Sequence, residues 1–152
     1  MKKIVAGILI SGSFISCTLG DDTPKGSIPD PVYDTNIVGI WKIQIQYIIS
    51  GDNKETILKE TPPDDCKKKS TYEFRNNGKY YMADYNSISS ECVMKEATLP
   101  YLYNPAHMKL TINNNESEVL EITANKLTIL AADNSDYNGD GTKDYIKTIF
   151  YK

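Results

Sequence analysis

The sequence predicts an all-β fold, an antiparallel meander of about eight or nine short strands, and three observations point to it. Apolar residues recur with period two: Trp41, Ile43, Ile45 and Tyr47 alternate with Lys42, Gln44 and Gln46. Turn-forming pairs such as Asn77-Gly78 punctuate the alternating runs at short intervals. Beyond the N-terminal apolar stretch, no run of about ten residues carries helical spacing. Closure into a barrel is the commonest way for such a meander to remove its edges. A two-sheet β-sandwich is the alternative.

The elements follow in order. Met1-Lys2-Lys3, an apolar run from Ile4 to Ile15 and then Ser16-Cys17 read as a signal peptide over residues 1–17. The run is too short to span a hydrocarbon core of ~30 Å. Residues 18–36, with Gly20, Pro24, Gly26, Pro29 and Pro31, lack periodicity and read as a tether. A segment of that length holds its domain ~25 Å from an anchor. The domain itself covers residues 37–152. Its first strand starts near Val38, and a second spans Glu55 to Glu60 before the Pro62-Pro63 break. Thr71 to Arg75 and Lys79 to Tyr85 flank the turn Asn76-Asn77-Gly78. Val93 to Thr98 follows, and alternation resumes after Pro100 and Pro105 at Met108 to Ile112. Asn113-Asn114-Asn115 and Ala124-Asn125 are turns around Val119 to Thr123, Leu127 to Ala131 comes next, and Tyr145 to Tyr151 closes the chain. Alternation assigns Trp41, Ile43, Ile45, Phe74, Leu110, Ile112, Leu120, Ile122, Leu127 and Ile129 to the interior. That set is bulky enough to fill a barrel of ~8 strands, whose interior otherwise holds one small ligand.

Charge narrows the partners. The chain has 17 Lys and Arg against 20 Asp and Glu. Without Lys2 and Lys3, 15 basic residues oppose those 20 acidic ones, a net −5. Arg75 is the sole arginine, so nucleic acid is not an expected partner, because phosphate binding needs clustered cations. The basic run Lys67-Lys68-Lys69 follows Asp64-Asp65 and reads as a solvated approach to a strand. Eleven tyrosines against three phenylalanines suit half-exposed sheet faces.

Phe14-Ile15-Ser16-Cys17 resembles the lipobox of bacterial lipoproteins, in which the Cys is acylated and becomes the new N-terminus. That resemblance implies lipidation at Cys17 and membrane attachment through the lipid, each buried methylene adding ~0.8 kcal/mol. Phe14 in place of the usual Leu keeps ordinary cleavage near Ser16 as the alternative. Asp21-Asp22 resembles the acidic signals that send some Gram-negative lipoproteins to the outer face of the outer membrane, with a merely polar linker as the other reading. Gly39-Ile40-Trp41 ahead of a long alternating strand, the Cys66-Lys67-Lys68-Lys69-Ser70 step and the Asn77-Gly78 hairpin resemble the lipocalin-like domain of small envelope lipoproteins. The resemblance implies a small barrel in which Trp41 packs across the closed end and Gly39 lets the chain turn into the first strand. It further implies either binding of a small apolar ligand or, with a filled barrel, contact with another envelope protein or a glycan. The chain departs from larger lipocalins in being shorter and in lacking an Arg on its last strand to stack on the Trp.

Two constellations carry chemistry. Setting Cys17 aside, Cys66 and Cys92 remain as a pair on either side of the Asn77-Gly78 hairpin, which can bring them together. A disulfide closing a loop of that length stabilises by ~3.5 kcal/mol in the chain-entropy model. In Asp136-Tyr137-Asn138-Gly139-Asp140-Gly141-Thr142-Lys143-Asp144, oxygens recur on alternate residues around Gly141 and resemble a calcium loop. Asp136, Asn138, Asp140 and Asp144 would supply side chains and Thr142 its carbonyl; Lys147 excludes the helix-loop-helix version. The same residues are also good turn formers between strands. His107, the only histidine, reads as a surface residue, and no nucleophile or phosphate loop nominates an enzyme.

Overall fold

The computed structural model describes residues 36–152, so the signal segment, Cys17, Asp21-Asp22 and nearly all of the tether lie outside the described residues. Nine strands follow one another: β1 (Gly39–Ile49), β2 (Ile57–Thr61), β3 (Thr71–Phe74), β4 (Lys79–Ile88), β5 (Glu91–Asn104), β6 (Lys109–Ile112), β7 (Asn115–Ile122), β8 (Lys126–Ala132) and β9 (Tyr145–Tyr151). Pairing is antiparallel throughout, in the order β1-β3-β4-β5-β6-β7-β8-β9, and β9 returns to β1. Eight strands therefore close a barrel, and the sandwich alternative is excluded. The ninth, β2, pairs with the Gln46–Ile49 half of β1, while β3 takes Gly39–Trp41.

The turns form where the sequence supplies residues that tolerate a left-handed backbone. Gly78 closes the β3–β4 hairpin at φ 73°, and Asn113 and Asn114 adopt φ 47° and 66° between β6 and β7. β5 runs through Pro100, where alternation alone suggested a break. Tyr101 N–H donates toward β4, to Gly78, and the Pro100 carbonyl accepts from Asn113 on the β6 side. The missing proline N–H falls on that β6 side, where the β6 ladder ends, so no sheet bond is lost.

The core gathers Ile37, Trp41, Ile43, Tyr72, Phe74, Tyr80, Tyr101, Tyr103, Leu110, Val119, Leu127 and Ile129, with Ile112 and Ile122 packed against it. Two expected members are corrected. The β1–β9 register shifts between Ile43 and Ile45, which places Ile45 opposite Ile149 on the outer face and turns Gln46 and Ile48 inward. A second shift between Val119 and Glu121 leaves Leu120 47% exposed, and Val119 takes the inner position. An extra residue on one strand inverts the period-two pattern beyond it.

Candidate functional site

The closed end of the barrel is a floor built on Trp41. Its ring is fully buried, and its Nε1 donates to the Ile37 carbonyl at 2.8 Å. Lys152, one residue beyond β9, lies over the ring with Nζ 4.3 Å from the centroid and donates to the carbonyls of Asn36 and Val38. It stands over the ring where the sequence resemblance leads one to look for an arginine, and burial holds its ammonium below the usual lysine range. Gly39 makes room for it. Its φ is 137°, and a Cβ would stand 2.8 Å from the Lys152 side chain. Phe74 stacks at a tilt on Tyr80 at 4.8 Å and meets Tyr101 edge-on at 5.0 Å, which fills the floor with rings. A lysine directly after the last alternating strand is the mark in the sequence of this cation over the ring.

Toward the other end the inner surface opens. Inward residues of the floor are sealed: Trp41 and Leu127 are 0% exposed, Leu110 1% and Phe74 2%. Higher up, Gln46 and Ile48 of β1, Met82, Asp84 and Asn86 of β4, Ser117 of β7 and Ile146 of β9 face inward and are only half-buried. This upper half of the lumen is the candidate site. One side of it is polar. Lys67 Nζ donates to Asp84 Oδ1 and Asn86 Oδ1 at 2.7 Å each, Asn86 donates to Asp84 Oδ2 at 2.9 Å, and the Tyr72 hydroxyl donates to Asp84 Oδ1. Burial would raise the Asp84 carboxyl, but the hydrogen bonds from Lys67, Tyr72 and Asn86 overcome it and hold the group below the usual carboxylate range. Burial, then Asp84, push the Tyr72 and Tyr80 hydroxyls well above their ordinary range.

Lys67 reaches the lumen from the segment that joins β2 to β3, Pro62 to Ser70, which runs along β4. The Ser70 hydroxyl accepts from the Tyr85 N–H on the edge of β4. Cys66 is bonded to Cys92, Cα to Cα 5.2 Å, so the expected disulfide forms and fastens this strap to β5. The lysine run is corrected in part. It forms a turn of 3-10 helix, Lys67–Lys69, whose three residues per turn send the side chains in separate directions. Lys68 pairs with Asp65 in solvent, whereas Lys67 enters the barrel.

The acidic loop uses its oxygens on its own backbone. Asp136 accepts from the N–H groups of Gly139, Asp140 and Gly141, and Asp140 from that of Thr142. Asn138 donates to Asp140. The Asp144 carboxylate is fully buried and accepts from Gly51 N–H at 2.8 Å and Tyr137 N–H at 2.6 Å. It thereby ties this loop to the β1–β2 turn. Among the described residues no group of three or more His, Cys, Asp or Glu side chains is arranged to hold a metal ion. His107 sits in the β5–β6 turn, exposed, at a surface groove with Leu102, Lys109 and Glu116.

Comparison with known proteins agrees with this architecture. The profile of the lipocalin-like domain family matches residues 37–129. No curated protein matches the chain. Among solved structures, a deswapped triple mutant of bovine odorant-binding protein is 10% identical with a TM-score of 0.42, over 78% of this chain and 74% of that one. The bovine lipocalin allergen Bos d 2 is 16% identical with a TM-score of 0.43, over 77% and 73%. Aphrodisin, a sex pheromone from female hamster, is 15% identical with a TM-score of 0.41, over 76% and 74%. The family profile over residues 37–129 and the closed eight-stranded topology are what place the chain. This chain belongs to the lipocalin-like domain family.

Proposed function

We propose that the protein binds a small, largely apolar molecule in the upper half of its barrel and does so as a lipid-anchored envelope protein. The observation that carries the binding reading is the change along the lumen, from sealed side chains at the Trp41 floor to half-buried ones around Ile48 and Ile146. A lumen of ~8 strands has room for one small ligand where side chains do not fill it. The anchor reading rests on the lipobox-like Phe14-Ile15-Ser16-Cys17, and Asp21-Asp22 supports an outer-membrane address.

Titration with the fluorescent apolar probe N-phenyl-1-naphthylamine tests binding, with saturable enhancement at one site per chain as the expected result. Absence of saturable binding sinks this reading in favour of a filled barrel that contacts an envelope protein or glycan. Metabolic labelling with a fatty-acid analogue tests the anchor: label is expected on the wild type and absent from Cys17→Ala. An unlabelled wild type ends the lipoprotein claim.

A further inference from the structure

We infer that the lumen selects an uncharged amphiphile, one carrying a hydroxyl or similar neutral group that meets the Lys67–Asp84–Asn86 cluster on the inner face of β4. This rests on the proposed use of the lumen as a binding site and names the chemical class it takes. The Trp41 floor is packed with aromatic rings, so a ligand occupies only the upper half. There the walls differ. Ile48, Ala131 and Ile146 of β1, β8 and β9 lie in one row of the inner surface. In the order of the closed barrel β8 stands opposite β4, so Ala131 faces the polar cluster, with Ile146 and Ile48 to one side of it.

The cluster itself decides the headgroup. Lys67 and Asp84 side chains remain 21% and 19% exposed, so the pair is not sealed off as a purely pinning contact would be. Asp84 accepts three hydrogen bonds from protein donors, and Lys67 spends two protons on Asp84 and Asn86. A carboxylate has about four acceptor sites and an ammonium three protons, which leaves one of each for a ligand. A hydroxyl uses both at once. A ligand carboxylate would meet the like charge of Asp84, and an ammonium that of Lys67, each after losing its own hydration, whereas Lys95, opposite Asp84 on the same face of β5, is exposed and screened by water. A wholly apolar molecule would strip water from the pair and return no hydrogen bond.

The test displaces N-phenyl-1-naphthylamine from the wild-type chain with octan-1-ol, octanoate, octylammonium and 1-chlorooctane. Octan-1-ol is expected to displace at a concentration about tenfold below the other three, the size of one hydrogen bond to a charged group. In the double variant Lys67→Met, Asp84→Leu, the advantage of octan-1-ol over 1-chlorooctane should disappear. Probe that binds but is displaced equally well by octanoate or 1-chlorooctane overturns this inference and leaves the proposed function standing. A folded double variant that keeps the alcohol preference overturns it as well. Probe that does not bind at all overturns the binding reading and this inference with it. The wild-type ranking needs no variant, so a double variant that fails to fold leaves the test intact.

Discussion

Gly51 shows how much of the barrel rim depends on one absent methyl group. A Cβ there would stand 2.0 Å from the Lys143 carbonyl oxygen and 2.8 Å from the Thr142 methyl, while the Gly51 N–H donates to the buried Asp144. Backbone on the far side cannot give way as a flexible side chain would. Gly51→Ala is therefore expected to lower stability by about 2 kcal/mol, read as a lower urea midpoint at unchanged m-value. Its partner makes the complementary case. Asp144→Ala leaves two amide donors without their acceptor, which costs about 2–3 kcal/mol. That loss should be the same in chelator and in calcium, because the donors are the amides of Gly51 and Tyr137. A loss seen only with calcium present would assign Asp144 to a metal instead. Asp84 gives a pH dependence. Its folded carboxyl lies below the ordinary 3.8, so its contribution is present above that value and is lost as pH falls through the lower folded one. The stability difference between wild type and Asp84→Asn should shrink from about pH 5 to about pH 2. A constant difference would mean that the hydrogen bonds to Asp84 do not depend on its charge.

Among the elements, hairpins were readable in advance because a turn is a local event. Asn77-Gly78 and Asn113-Asn114 need only their own backbone preferences. The misplacement of Ile45 and Leu120 has the opposite cause, since a bulge arises from the fit between two strands distant in sequence and leaves no mark on either alone. Lys67 was hidden for a similar reason, as charge runs look solvated until a 3-10 turn separates their members. β5 carries the clearest dynamic consequence. β4 covers one edge of it from Glu91 to Pro100, but β6 covers the other only from Tyr101 to Asn104. Among the described residues, no strand pairs with that second edge between Glu91 and Leu99. Because Tyr101 N–H points toward β4, alternation sends the N–H groups of Val93, Lys95, Ala97 and Leu99 the same way. Those of Cys92, Met94, Glu96 and Thr98 point to the open edge. Hydrogen exchange should therefore alternate along β5, slow at the odd residues and fast at the even ones. Uniform protection would show that another segment or molecule covers the edge.

At the scale of the whole molecule, the barrel has a sealed half and a half-buried one, and the single tryptophan reports on the first. Trp41 is sealed from inside by the aromatic floor and from outside by Lys152, which Gly39 admits. The Gly39-Ile40-Trp41 pattern made this end legible in the sequence. The upper half was not legible, because its inner face depends on the shifted register of β1 and on a strap held by the Cys66–Cys92 bond. If the halves are independent, damage to the floor should leave binding untouched. Lys152→Ala removes the cation over the ring together with its bonds to the Asn36 and Val38 carbonyls, opening the outer side of Trp41 to solvent. Acrylamide should quench Trp41 emission strongly in this variant and weakly in the wild type. Over the same change, the Kd for N-phenyl-1-naphthylamine should stay within about twofold, as expected for sites with no shared partners. A Kd that weakens in step with the quenching would mean that floor and lumen form one cooperative core, with the ligand resting on the aromatic rings rather than against β4.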